Sequence, residues 1–300
     1  MKRVVLVLLG LLGACDDTDA RGWLVDRTRL LGARTEAASD PTRASVAVGE
    51  QANVTWLVAS PTPAVALSYA WAACAPPSGD LPSPRCEGAV LASGSGSAGT
   101  TGLVGIGLVV PPVAGTDLFM LGAFCSNGSA PPVLDPAHFT ATCANGTALL
   151  GTTSLGIGGA NHNPPIDDGD VFLDDMTLPP STIGPVDAPC AGAPAAPVVL
   201  ASGGDRQLHF RFHDEQREVA DNGVRESLVV SHVVSAGVLD RQYSALDPNE
   251  AAPKTVAIPW TPPVASDVPD AGRIIELFFV LRDGRGGTTF ARRTLCARSH

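Results

Sequence analysis

Hydrophobic and polar residues alternate along this chain with a period of two, in short runs separated by glycine, proline, asparagine and aspartate. That period puts side chains on the two faces of a β-strand. In "ALSYAWAAC", Leu67, Tyr69 and Trp71 fall on one side and Ser68, Ala70, Ala72 and Cys74 on the other. In "RQLHFRFHDE", Leu208, Phe210 and Phe212 share a face, and His209, Arg211 and His213 read as the solvent face. "ASVAVGEQANVTWLVAS" has strand residues on both sides of Gly49-Glu50-Gln51, and "DLFMLGAFC" is an apolar strand ending at Cys125. "HFTATCANGTALLGTTSLGI" predicts a hairpin about Asn145-Gly146, a strong turn pair. "RESLVVSHVVSAG" is a further strand, and "RIIELFFVLRDGRGGTTFARRTLCA" predicts two, turning at Asp283-Gly284 and Gly286-Gly287. "ASGSGSAGT", with Ser95 and Ser97, reads as a flexible glycine–serine loop. Short strands at this spacing predict an all-β chain of two tandem immunoglobulin-like β-sandwich domains. The turn-rich "GIGGANHNPPIDDGD" marks the boundary, giving one sandwich over 23–160 and a second over 161–300. Trp71 is placed to be the buried tryptophan of the first, although Val54 to Val58 lacks the cysteine that accompanies it in immunoglobulin domains. Trp260, in "IPWTPP", is a core or edge anchor of the second.

The first residues follow another pattern. Lys2 and Arg3 precede the apolar run Val4 to Leu12, then small residues and Cys15, which is the layout of a secretory signal peptide over 1–14. Leu12-Gly13-Ala14-Cys15 resembles the lipobox of bacterial lipoproteins. That resemblance implies cleavage before Cys15, acylation of its thiol, and a membrane partner through the lipid. Residues 15–22 then form a lipid-anchored polar tether, which places the first domain close to the membrane. The outer membrane is the expected location, and Asp16 raises the inner membrane as the alternative.

Lipidation of Cys15 leaves six of the seven cysteines: Cys74, Cys86, Cys125, Cys143, Cys190 and Cys296. An even set in an exported chain reads as disulfides, and six cysteines allow fifteen pairings. Pairing neighbours gives Cys74–Cys86, Cys125–Cys143 and Cys190–Cys296. "RESLVVSHVVSAGVLDRQYSA", "IPWTPP" and "ELFFVLRDGRGGTTFARRTLC" resemble the C-terminal domain of lipoproteins of myxobacteria and their relatives. "WLVDRTRLLGARTEA" and "NHNPPI" are also similar to theirs. This resemblance implies fold and location and supplies no reaction.

Charge narrows the functions. The formal net charge is −10, and loss of Lys2 and Arg3 takes the mature chain to −12, which does not attract nucleic acid. Asp167, Asp168, Asp170, Asp174 and Asp175 form an acidic cluster whose carboxylates could ligate calcium, although EF-hand spacing is absent. A solvated acidic turn is the alternative. On a strand His209 and His213 lie about 13 Å apart, too far to share a zinc ion. Neither Ser95 nor Ser97 sits in G-x-S-x-G, and no carboxylate pair is singled out. The chain therefore reads as a non-enzymatic, lipid-anchored envelope protein that binds or scaffolds an envelope protein or polymer, with no resident cofactor. A calcium-dependent adhesion or assembly module is the first alternative. A secreted hydrolase with a site assembled from distant residues is the second.

Overall fold

The strand-forming runs pair into two stacked sandwiches in the computed structural model, which describes residues 21–61, 66–76, 84–113, 115–126, 130–181, 190, 196–201, 204–219 and 223–299. In the first sandwich a three-stranded sheet has the order β1 (Arg29–Ala37), β3 (Gln51–Ala59), β6 (Leu103–Val109). The sheet facing it has the order β2 (Ser45–Val46), β10 (Leu149–Ile157), β7 (Asp117–Ser126), β4 (Leu67–Cys74), β5 (Val90–Ala98). A two-stranded flap, β8 (Val133–Asp135) with β9 (Thr140–Thr142), lies outside both.

Trp71 is buried in this core as expected, and Trp56 is the more central of the two tryptophans. Trp56 sits on β3, the middle strand of its sheet, is fully buried, and packs 5.4 Å from the Phe124 ring. Trp71 sits one strand in from an edge and lies over Gly94 of β5. The predicted glycine–serine loop is itself that edge strand, paired with β4 from Leu67↔Ala98 to Cys74↔Val90. Its alternation explains the sequence: Ser93, Ser95 and Ser97 are exposed, while Gly94 and Gly96 lie under the Trp71 and Tyr69 rings. The hairpin about Asn145-Gly146 does not form. β9 pairs with β8 and β10 pairs with β7 and β2, so the turn passes the chain from the flap to the main sheet. Burial of Leu155 against β7 outweighs the local hairpin preference.

The second sandwich stacks β12 (Met176–Thr177), β11 (Val171–Leu173), β14 (Arg206–Phe212), β18 (Lys254–Thr261), β16 (Val238–Leu239) on a second five-stranded sheet. That sheet has the order β13 (Val198–Leu200), β20 (Thr288–Arg298), β19 (Arg273–Arg282), β15 (Leu228–Val234), β17 (Tyr243–Leu246). Leu208, Phe210 and Phe212 of β14 and Trp260 of β18 meet Ile275, Leu277 and Phe279 of β19. The Trp260 indole N–H donates to the Ala236 carbonyl at 3.2 Å. The face opposite Phe210 is not free solvent. His209 stacks on Phe172 with ring centroids 4.7 Å apart, Arg211 lies over the same ring, and His213 meets the Asp170 carboxylate.

Disulfides join Cys74 to Cys86, Cys125 to Cys143 and Cys190 to Cys296. The first holds the loop before β5, the second ties the flap to β7, and the third closes residues near the start of the second sandwich onto its last strand. Three disulfides fit an oxidising compartment outside the cytoplasm. Among the described residues no helix is long and apolar enough to cross a membrane.

β19 is apolar on both faces because both are covered. Its second face presents Phe278 and Val280 to Leu57 and Ala59 of β3. Gly32 of β1 permits the approach: a Cβ there would stand 3.2 Å from Val280 and 3.3 Å from Phe290. Arg282 crosses the seam and donates to the Leu31 carbonyl at 2.8 Å. Trp23 to Val25, grouped by the sequence pattern with the first domain, run instead along the second. Val25 N–H donates to the Val234 carbonyl, and Val234 N–H to that of Trp23, both at 2.8 Å.

Candidate functional site

The segment Asn161-His162-Asn163 joins the sandwiches, and its side chains bond to both. Asn163 Nδ2 donates to the Thr35 carbonyl on β1 at 2.7 Å, and its Oδ1 accepts from Thr288 N–H on β20 at 2.8 Å. Asn161 Nδ2 donates to the Arg285 carbonyl, and His162 pairs with Glu218. Arg285 completes the joint by bridging Glu218 and Glu226. The buried Asn163 side chain therefore satisfies backbone groups of both sandwiches at once, which ties one to the other.

Asp283, at the head of the β19–β20 hairpin, faces this joint. Its Oδ1 accepts Arg285 N–H at 2.7 Å and Gly287 N–H at 2.9 Å. Its Oδ2 is buried without a hydrogen-bond partner. Burial pushes the Asp283 carboxyl up to about 6, against the two backbone bonds that favour its charged form. At the other end of the seam Glu276 pairs with Arg292, yet burial still pushes Glu276 up to about 7.

Between these points the walls diverge into a cleft of about 560 Å³. Arg34 and Leu57 line it from the first sandwich, and Asp168, Phe290 and Arg293 from the second. Arg293 is the unusual member. Its register on β20 is that of the core residues Ala291 and Leu295, and it is 3% exposed. A guanidinium has five N–H donors. Here Nη1 reaches the Arg292 carbonyl, Nε has no partner, and Nη2 stops 4.0 Å short of the exposed Asp168 carboxylate. Burial lowers the Arg293 pKa, against the pull of Asp168 and Asp170. A desolvated cation so incompletely bonded is costly to the fold. The Arg293 side of the cleft suits recognition of an oxyanion; on the facing wall Arg34 is already paired with Glu36 at 2.7 Å.

The structure does not bring the five aspartates together. Asp170 is buried and binds Asp167 N–H, His213 and Gln216. Asp174, in the left-handed region at φ 51°, binds Gln207 N–H and Arg206. Asp167 and Asp175 are exposed, and Asp168 faces Arg293. Among the described residues no three His, Cys, Asp or Glu side chains converge to hold a metal ion. Ser95 and Ser97 lie on the exposed face of β5, away from the cleft. Cys15 lies outside the described residues. Arg293 escapes a motif search because it belongs to none. Its signal is parity: in "FARRTLCA" it interrupts the inward series Ala291, Leu295, Ala297.

No known protein family matches the chain, and no curated protein does. Among solved structures it is similar to a red sea bream transglutaminase, at 9% identity and TM-score 0.25, over 91% of this chain and 32% of that one. It is also similar to the dimeric latent PorU of Porphyromonas gingivalis, at 10% identity and TM-score 0.24, over 91% of this chain and 24% of that one. The chain spans about a third or less of each of these proteins, and the likeness says nothing of activity.

Proposed function

We propose that this protein is a lipid-anchored, non-catalytic component of a bacterial cell envelope that binds an anionic group of an envelope protein or polymer in the cleft between its sandwiches. The observation that carries the binding role is Arg293, a buried guanidinium with an unpartnered Nε lining a cavity of about 560 Å³. Anchoring rests on Leu12-Gly13-Ala14-Cys15, and export on that motif with the three disulfides. Asp168 acts as an internal stand-in for the ligand: it weakly neutralises Arg293 and must yield to a stronger anion. The Asn163 bonds at one end and the Arg292 bond to the Thr101 carbonyl at the other tie the two walls together, so binding requires little reorganisation.

The test is thermal unfolding of the full chain in inorganic phosphate and in acetate at matched ionic strength. Phosphate is expected to raise Tm in a saturable way. Asp168→Asn removes the competing carboxylate and should strengthen the effect, whereas Arg293→Met should abolish it. An unchanged Tm in both the native chain and Asp168→Asn would refute the anion site, as would an equal shift in Arg293→Met. Intact mass of membrane-extracted protein checks the anchor. Cleavage before Cys15 with added acyl chains is expected, and a cleaved but unacylated chain overturns it.

A further inference from the structure

Among the described residues β5 and β6 are edge strands of the two sheets, on the same side of the first sandwich. Edge strands expose unpaired backbone N–H and C=O groups, and proteins guard them with charges, prolines or bulges. Neither strand contains a charge or a proline, the one register slip of β5 falls at Leu91, before the segment Ala92–Ala98, and from Gly88 to Thr116 the sequence has no charged residue at all, in a chain of net charge −10.

Both strands are also self-complementary. Ala92-Ser93-Gly94-Ser95-Gly96-Ser97-Ala98 reads the same in both directions about Ser95. Leu103-Val104-Gly105-Ile106-Gly107-Leu108-Val109 does so in character about Ile106, with Gly opposite Gly and aliphatic opposite aliphatic. A palindromic strand laid antiparallel on its own copy puts each residue opposite one of its own kind, as a twofold interface requires. The two centres are matched. Ser95 lies three residues before the end of β5 and Ile106 three residues after the start of β6, on either side of the connection 99–102. A single twofold axis can therefore pass through both.

We propose that this side of the first sandwich is a self-association surface, on which β5 and β6 of a second copy extend both sheets antiparallel about Ser95 and Ile106. The serines form the exposed face of the joined sheet, and Gly94 and Gly96 remain over the aromatic rings of β4. Anchoring in one membrane would favour the pairing by confining the copies to a surface.

The register is testable with thiols, in a full chain carrying Cys15→Ser and kept in mild detergent. Ser95→Cys faces itself across the axis and should give a covalent dimer on mild oxidation. Ser93→Cys alone should not, because its own copy lies about 13 Å away along the strand. Mixing Ser93→Cys with Ser97→Cys should restore cross-linking. Sedimentation should show a dimer at about 100 µM protein, a range typical of weak contacts. Ser95→Lys, which sets like charges face to face, should leave a monomer whose Tm matches that of the unsubstituted chain at dilutions where the latter is also monomeric. A monomer in the unsubstituted chain overturns the proposal, as does a Ser93→Cys protein that cross-links as fast as Ser95→Cys.

Discussion

Replacing Asp283 with asparagine tests whether the joint is built around a strained carboxylate. Asp283 is 2% exposed, and one of its oxygens has no partner. Its pKa rises from 3.8 to about 6, with desolvation the leading cause and Glu226 a further repulsion. For an acid whose folded-state pKa is raised, the native state holds the proton more tightly than the unfolded chain. Stability from this group is therefore full below pH 3.8, falls as pH rises to about 6, and is constant above. The shift corresponds to about 3 kcal/mol. The replacement amide does not titrate and keeps an oxygen for the two backbone bonds, while its nitrogen takes the place of Oδ2 near the Asn161 amide and Glu226. That leaves a pH-independent offset of about 1–3 kcal/mol of either sign. The expected observable is the difference between the two proteins, followed by chemical denaturation from about pH 3 to 8. Relative to the native chain, Asp283→Asn should gain about 3 kcal/mol between the acid and neutral ends, whatever the offset. Taking the difference cancels other titrating groups, including Glu276, which has the same sign, and His232, which has the opposite one. A difference that stays flat with pH would refute the reasoning.

Three further outcomes are expected. Asn163→Ala strands the Thr35 carbonyl and the Thr288 N–H, should cost about 2–4 kcal/mol, and should speed hydrogen exchange at Thr288; unchanged exchange there would show that the asparagine is not the bridge. Gly94→Val would drive a Cβ to 2.7 Å from Trp71 Nε1 and should destabilise by about 1–3 kcal/mol, whereas Ser95→Val, on the exposed face, should not; equal effects in a denaturation series would contradict the assignment of faces. His232 is fully buried with neither ring nitrogen bonded, and burial lowers its pKa from 6.5 to about 4. His232 should contribute a loss of about 3 kcal/mol as pH falls from 6.5 to 4, opposed in the native chain by Asp283 and Glu276, so His232→Leu should gain about 3 kcal/mol relative to the native chain over that window; a difference that stays flat with pH would exclude it.

The sequence by itself determined the features that depend on neighbours along the chain. The period of two assigns Leu208, Phe210 and Phe212 to one face because successive residues of a strand point oppositely. Asp283-Gly284 marks the last hairpin because glycine accepts the φ of 79° found there. Tertiary structure decided what depends on distant surfaces. A glycine–serine run has little intrinsic strand preference, and β5 exists because the Trp71 and Tyr69 rings leave room for glycine alone. Asn145-Gly146 turns the chain as its composition requires, but which strands pair afterwards is set by the β7 surface that buries Leu155. The run "RIIELFFVLR" announces two covered faces without naming the second cover, which is β3 of the other sandwich. Arg293 lies 118 residues beyond Asp175, the nearest member of the acidic cluster, so no spacing rule relates them. Only the packing of one sandwich against the other sets a buried guanidinium beside a cleft, because the fold brings surfaces together by shape and burial and not by order along the chain.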